Sequence, residues 1–188
     1  MKNLYCFIGP SGAGKDAIVG GLSQKYGYKL LKSYTTRQPR NADDDGHYFI
    51  SKDDFGKITD GIFFDHFSGF AAYTYFDDNH YFATIDQVAD CDLYIVDQVG
   101  FDKLKQKKLR KNLKLFYIYA SEETRRKRMA QRGDSESAIE KRIKTDKKMF
   151  DHKKLLQEAD KIFINEKRNI KDGILFFHLC IESYERGE

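Results

Sequence analysis

One stretch restricts the fold more than any other: Gly9-Pro10-Ser11-Gly12-Ala13-Gly14-Lys15-Asp16. The apolar run Leu4-Tyr5-Cys6-Phe7-Ile8 precedes it, and Ala17-Ile18-Val19, with Leu22 one turn later, follow it. Buried strand, glycine-rich loop and helix, in that order, match the phosphate-binding P-loop G-x-x-x-x-G-K-[ST] at every position but the last. Glycines let main-chain N–H groups converge on phosphate oxygens without interference from a Cβ. The positive end of the following helix adds to the attraction. Gly9, Ser11, Gly12, Ala13 and Gly14 are therefore expected to cradle a nucleotide, with Lys15 reaching its β- and γ-phosphates. A plain glycine-rich turn would not require a lysine directly after the last glycine. Asp16 stands where a Ser or Thr hydroxyl usually ligates Mg²⁺. A carboxylate is also a hard oxygen ligand, so Asp16 is expected to meet the metal directly or through water.

The length of 188 residues suits one domain, or one core with small inserted lobes. The 33 basic and 29 acidic residues leave a net charge of +4, which does not establish nucleic-acid binding. The Lys-rich run from Lys103 to Lys114 reads as a solvated helix face. Cys6, Cys91 and Cys180 are odd in number and widely spaced, as reduced thiols of an intracellular protein would be. His47, His66, His80, His152 and His178 form no metal-binding spacing and read as surface or supporting residues. The P-loop so near the N-terminus leaves no room for a signal peptide, and no apolar run approaches a membrane span. The expectation is a cytoplasmic protein, monomer or homodimer, with no nucleic-acid or membrane partner.

Helix and strand signals alternate along the chain. The P-loop helix is expected to stop at Gly27, with a short strand around Leu30-Leu31 after it. Ser33 to Arg40, with the acidic turn Asp43 to Gly46, is irregular, Tyr48-Phe49-Ile50 a strand, and Ser51 the cap of a helix that Gly61 ends. From Ile62 to Phe82, aromatic residues dominate, with Asp77-Asp78-Asn79 as a turn; they read as the core of a small lobe. Leu93 to Asp97, Leu113 to Tyr119 and Lys161 to Asn165 are strands. Helices follow from Phe101, from Ser121 to about Arg132, from Ser135 or Ser137 through Phe150, and from Ile170. The pattern predicts an α/β fold, a parallel sheet flanked by helices, interrupted by an aromatic insertion.

Three further constellations carry chemistry. Arg37 and Arg40, with Tyr48 soon after, can fork onto one phosphate, and a second phosphate clamp on a P-loop protein points to phosphoryl transfer between two ligands. Arg125, Arg126, Arg128 and Arg132, then Lys141 and Arg142, offer positive charge for the moving group; Arg128, Arg132 and Arg142 are the catalytic candidates. Arg125 and Arg126 are expected to be solvated or paired to Glu122. Asp97, at the carboxyl end of a buried strand, faces the ligand crevice in such sheets. It would hold the acceptor or water on Mg²⁺; the other role open to it is capping a neighbouring helix.

Taken together the motifs resemble the guanylate kinase family. They are Gly9 to Lys15, Ser33-x-Thr35-Thr36-Arg37-x-Pro39-Arg40, Gly46-x-Tyr48-x-Ile50-Ser51, Asp97-x-x-Gly100, Arg128-x-x-x-Arg132-Gly133, Lys141-Arg142 and Ile164-Asn165. The resemblance implies a P-loop core (1–33 and 86–188), a small β-rich monophosphate-binding lobe (34–85) and an arginine-bearing lid (about 129–142). It implies Mg²⁺- and ATP-dependent phosphorylation of GMP or dGMP. By matching position, Arg37, Arg40, Tyr48 and Tyr81 would hold the acceptor phosphate, Ser33 and Asp65 would face guanine, and Asn165 would lie near the adenine.

The chain also departs from that pattern. The guanine-reading Glu is Asp65, one methylene shorter. Tyr-Gly-Ser/Thr is Tyr81-Phe82-Ala83, and the loop before it, Phe70 to Asp78, is longer. Asp-x-Asp on the third core strand is Ile95-x-Asp97. Asp16 gives a Gly-Lys-Asp P-loop that resembles ribose 1,5-bisphosphate phosphokinases, which lack the full Thr-Thr-Arg-x-Pro-Arg loop kept here. A sugar-phosphate kinase of the same fold, and a non-catalytic guanylate kinase-like binding module, remain as alternatives.

Overall fold

A computed structural model describes residues 3–40, 42, 44–59, 69–109, 112–167 and 169–187. Its elements are β1 (Leu4–Ile8), α1 (Lys15–Tyr26), β2 (Tyr34–Thr35), β3 (Tyr48–Phe49), α2 (Lys52–Thr59), β4 (Phe70–Phe76), β5 (Asn79–Thr84) and α3 (Ile85–Asp90). There follow β6 (Leu93–Ile95), α4 (Gln98–Lys107), β7 (Leu113–Tyr119), α5 (Glu122–Gln131), α6 (Glu136–Met149), α7 (His152–Glu158), β8 (Lys161–Ile164) and α8 (Ile170–Arg186).

The first sheet runs β6-β1-β7-β8, all parallel. Parallel strands are covered on both faces, so their sequences are apolar throughout. In β1, Leu4, Cys6 and Ile8 enter one apolar cluster with Val88, Phe101, Leu104 and Leu155. Tyr5 and Phe7 enter the other, with Ile18, Val19, Leu22, Phe116 and Phe177. This two-residue alternation places α1 and α8 on one face and α3, α4 and α7 on the other. The P-loop leaves the carboxyl end of β1 between β6 and β7.

The second sheet runs β3-β2-β5-β4. The turn between β4 and β5 puts Asp77 and Asp78 at φ 50° and 60°, the left-handed pair that a two-residue hairpin favours. Phe82 packs with Tyr34, Phe55 and Phe70, and Phe55 stacks on His80 at 3.8 Å between ring centroids. Phe82 is buried at the centre of these contacts, and Tyr34, Phe55, Phe70 and His80 are half-buried around it.

Several details differ from expectation. The stretch expected to be irregular from Ser33 contains strand β2, paired to β3 and β5. The strand around Leu30-Leu31 reduces to a single bridge, Leu30 to Leu93. Strand β6 stops at Ile95, because Asp97 already serves as the N-cap of α4. The helix expected to reach Phe150 ends at Met149, and Asp151 caps a separate short helix, α7, which the sequence reading missed. The basic face of α4 is not wholly solvated: Lys103 and Lys107 donate to the main-chain carbonyls of Tyr73 and Phe70. They thereby tie α4 to β4. Gly61 and most of the first aromatic residues, Phe63, Phe64 and Phe67, lie outside the described residues. No helix among the described residues is long and apolar enough to cross a membrane.

Phe177 is fully buried, edge-on to Phe7 and stacked with Phe116, each at 5.0 Å. Phe177→Ala should lower the unfolding free energy by about 3–5 kcal/mol, measured by urea denaturation.

Candidate active site

Two cavities open along the carboxyl end of the first sheet, of about 470 and 910 Å³. They share Ser11, Lys15, Ser33, Arg40, His47, Ile95 and Arg142. Two compartments therefore meet at three cationic side chains.

The larger cavity is walled by Gly12, Gly14, Asp16, Arg128, Arg132 and Asn165. Gly14 is the N-cap of α1 at φ 98°, and a Cβ there would lie 2.5 Å from Asn165 Nδ2. Only glycine fits both the conformation and the contact. Asn165 is buried; its Nδ2 donates to Ala13 O at 2.8 Å while its Oδ1 has no partner among the described residues. Lys15 donates to Pro10 O at 3.1 Å. Burial lowers the Lys15 pKa, the charge of neighbouring Asp16 opposes that shift, and Arg40 adds to it. An ammonium partly desolvated in this way is stabilised by an anion.

The smaller cavity is lined by Gly9, Arg37, Tyr81, Phe82, Tyr94 and Asp97, among others. Arg37 Nη1 donates to Asp44 Oδ2 at 2.9 Å, and the Arg40 main-chain N–H reaches the same oxygen at 2.9 Å. Nε and Nη2 of Arg37 are buried with no partner among the described residues. Two unused donors on a guanidinium fork suit a tetrahedral oxyanion. Burial lowers the Arg40 pKa, as do the charges of Arg37, Arg142 and Arg132. Arg132 is hydrogen-bonded to Asp134, and Arg142 Nε lies 3.6 Å from the same carboxylate. Burial works to raise the Asp134 pKa, but the arginines outweigh it and hold the carboxyl below its ordinary value. Four guanidiniums thus converge, with Asp44 and Asp134 between them.

The remaining candidates fall in varied places. Arg128 donates to Gly12 O, Ala13 O and Asn165 O, so it grips the P-loop from behind while lining the larger cavity. Asp97 lines the smaller cavity, and its Oδ1 accepts from Gly100 N at 2.6 Å, the capping role open to it. Ser33 Oγ is 2.9 Å from His47 Nδ1. Tyr48 is 47% exposed, packs on Tyr34 and lies outside both walls. Asp65 lies outside the described residues. Arg126 pairs with Glu122 as expected, but Arg125 does not: it is buried and bonded to Asp146. Helix α5 has almost no apolar residue to bury, so a charged stem turns inward instead.

The sequence reading also missed Asp146 and His47. Asp146 shares a stripe with Ile139 and Ile143, all buried; an acid at that spacing needs a partner. Sequence alone marks His47 as a surface or supporting residue, yet it lines both cavities.

The family model described as guanylate kinase matches residues 1–168. The chain belongs to the guanylate kinase family. A guanylate kinase of Alkalilimnicola ehrlichii is 33% identical over 72% of this chain and 68% of its own length. One from Buchnera aphidicola is 31% identical over 95% and 89%. The crystal structure of guanylate kinase from Anaplasma phagocytophilum superposes with a TM-score of 0.65 at 14% identity, covering 97% of this chain and 86% of that one. At that identity the likeness speaks for the fold, an α/β sheet flanked by helices as the sequence predicts.

His47 provides a pH test within this family member. Burial, then the charges of Arg37 and Arg40, push its pKa down from 6.5 to about 4. The unfolded chain therefore takes up this proton first, and stability falls as pH drops from about 6.5 towards 4. Urea stabilities of wild type and His47→Gln, measured between those limits, should converge on acidification; parallel curves would contradict the assignment.

Proposed function

We propose that this guanylate kinase family member transfers the γ-phosphoryl group of ATP to GMP, with dGMP as a second acceptor, giving ADP and the nucleoside diphosphate. The observation that carries the residue-level reading is the junction of two cavities at Lys15, Arg40 and Arg142. An enzyme of simple hydrolysis has no need of a second phosphate clamp. ATP takes the larger cavity, with its phosphates on the N–H groups of the P-loop and on Lys15. Asn165, in the wall of the larger cavity, is assigned to the adenine side of the nucleotide. GMP takes the smaller cavity, with its phosphate on Arg37 and Arg40 and with Tyr81 as a further donor. Ser33 and Asp65 are assigned to the base.

In the reaction, an oxygen of the GMP phosphate bonds to the γ-phosphorus as the bond to the bridging oxygen breaks, and that electron pair leaves with ADP. Lys15, Arg132 and Arg142 neutralise charge on the moving group; Arg128 shapes the loop that holds its donor. The donor set fits Mg²⁺. Asp16 is a hard oxygen ligand on the cavity wall, and no group of three or more metal-ligating residues is found among the described residues. The ion would arrive with the nucleotide, keeping phosphate and water ligands. Mg²⁺ bound in this way supplies charge neutralisation of the β- and γ-phosphate oxygens. Asp16 would hold it, directly or through water, with Asp97 contacting its water shell from the acceptor side. The lobe, core and lid boundaries expected from the sequence complete the proposal: residues 34–85 close over the acceptor and about 129–142 over the donor.

Ile95 lines both cavities where the resemblance expects a carboxylate. It favours testing ribose 1,5-bisphosphate as a competing acceptor. A coupled ATP-consumption assay should show turnover with GMP and dGMP and little with that sugar phosphate; no turnover with either purine monophosphate refutes the proposal. Arg40→Met should raise the GMP KM and lower kcat, each by about tenfold or more. Asp16→Ser should change the Mg²⁺ dependence of the rate, and an unaltered Mg²⁺ titration would remove Asp16 from the metal site.

A further inference from the structure

Behind the P-loop lies an ion pair that the phosphoryl-transfer chemistry does not use. Asp146 Oδ2 accepts from the Ser11 main-chain N–H at 2.9 Å, and Oδ1 accepts from Ser11 Oγ at 3.3 Å. Arg125 Nη1 donates to Asp146 Oδ2 at 2.8 Å and to Ser11 O at 3.4 Å. Each of the two charged residues is only 7% exposed. The loop also touches the helix itself: a Cβ on Gly12 would come within 2.9 Å of Arg125 O. Asp146 thus reads both polar main-chain directions of Ser11, one directly and one through Arg125.

The placement matters because Asp146 stands one turn beyond Arg142 on α6. Residues four apart share a helix face. Arg142 lines both cavities, while Asp146 and Ser11 line the acceptor cavity together. A single rigid turn of helix therefore carries a phosphate-facing arginine at one end and a grip on the nucleotide loop at the other. An unaccompanied carboxylate this close to phosphates would repel them. Arg125 cancels that charge: Asp146 and Arg125 act on Lys15 in opposite senses. Neither residue is needed to touch a substrate.

We propose that the buried Arg125–Asp146 pair is a positioning device that sets the register of Arg142 against Lys15 by clamping Ser11. The inference rests on the phosphoryl-transfer reading of the site. Because the clamp fixes geometry at the reacting centre, its loss falls on kcat more than on acceptor binding. A misplacement of the order of 1 Å at such a centre is enough to cost about a hundredfold in rate.

The test separates position from stability. In Arg125→Met/Asp146→Leu both charges go at once, and apolar replacements of a buried ion pair often preserve stability. The double variant should keep a Tm near that of wild type and a GMP KM within about threefold, while kcat falls by about tenfold or more. Asp146→Asn, which keeps an acceptor for the Ser11 N–H, should lose less rate than Asp146→Leu. A folded double variant with wild-type kcat overturns the proposal. Hydrogen exchange of the Ser11 amide in wild type decides the matter should the double variant not fold. Protection that Asp146→Leu abolishes, with the rest of the core still protected, supports the clamp; free exchange in wild type overturns it. Wild type assayed alongside with ATP and GMP keeps the two questions apart: an inactive wild type refutes the phosphoryl-transfer reading, whereas Ser11 protection reports on the clamp alone.

Discussion

The site depends on holding like charges together. Lys15 and the guanidiniums of Arg37, Arg40, Arg132 and Arg142 line the two adjoining cavities, and burial lowers the pKa of Lys15 and of Arg40. Carboxylates on neighbouring segments make the arrangement tolerable. Asp44 takes Arg37, and Asp134 takes Arg132 with Arg142 close by. Both acids are bonded through side chains within one short stretch of chain, so a phosphate of higher charge can displace them at modest cost. Asp146 differs: its partners are Ser11 and Arg125, far away in sequence, and the Arg125–Asp146 pair is buried between helix and loop. Breaking such a pair costs about 3–5 kcal/mol, so it belongs to the frame rather than to the exchangeable set.

The frame explains why the cations face one another at all. Strand β1, buried on both sides, delivers the P-loop to the carboxyl edge of the sheet. Strand β6 ends beside it and turns into α4 through the Asp97 cap. Helices α5 and α6 come back over the loop, and their packing around Met129, Ile139 and Ile143 fixes the arginines they carry. The second sheet brings Arg37, Tyr81 and Phe82 to the opposite wall. Contacts between Lys141 and Asp77 and between Lys103 and Tyr73 O link that wall to the core. The first of these is an exposed pair that contributes little to stability, which suits a surface that must open and close.

Much of the fold is legible where local signals are strong. The run before Gly9, the Gly27 stop and the Ser51, Ser121 and Ser135 caps all correspond to observed ends of elements. The second-strand segment around Leu30 is not, because two apolar residues do not distinguish a strand from a single bridge. Helix α7 is hidden because Phe150 continues the apolar period of α6, and only the Asp151 cap marks the break. In the site, motif spacing leads to the P-loop and the Arg37–Arg40 loop. It does not lead to the Arg125–Asp146 pair, since an arginine among arginines carries no mark of burial. What marks it is the shortage of apolar residues in α5 together with an acid on the apolar stripe of α6, two weak signals that gain meaning only when the helices are packed together. The same lack of a local mark hides His47, whose neutral state comes from burial and from arginines seven and ten residues before it.

The central claim is that the convergent arginines exchange carboxylate partners for phosphate while the P-loop clamp stays closed. A crystal structure with GMP and a non-hydrolysable ATP analogue tests it most directly. The account predicts the GMP phosphate on Arg37 and Arg40, the γ-phosphate position between Lys15 and Arg142, Asp44 and Asp134 released, and Ser11 still bonded to Asp146. A monophosphate bound elsewhere, with Arg37 still on Asp44 and Asp146 detached from Ser11, would contradict it.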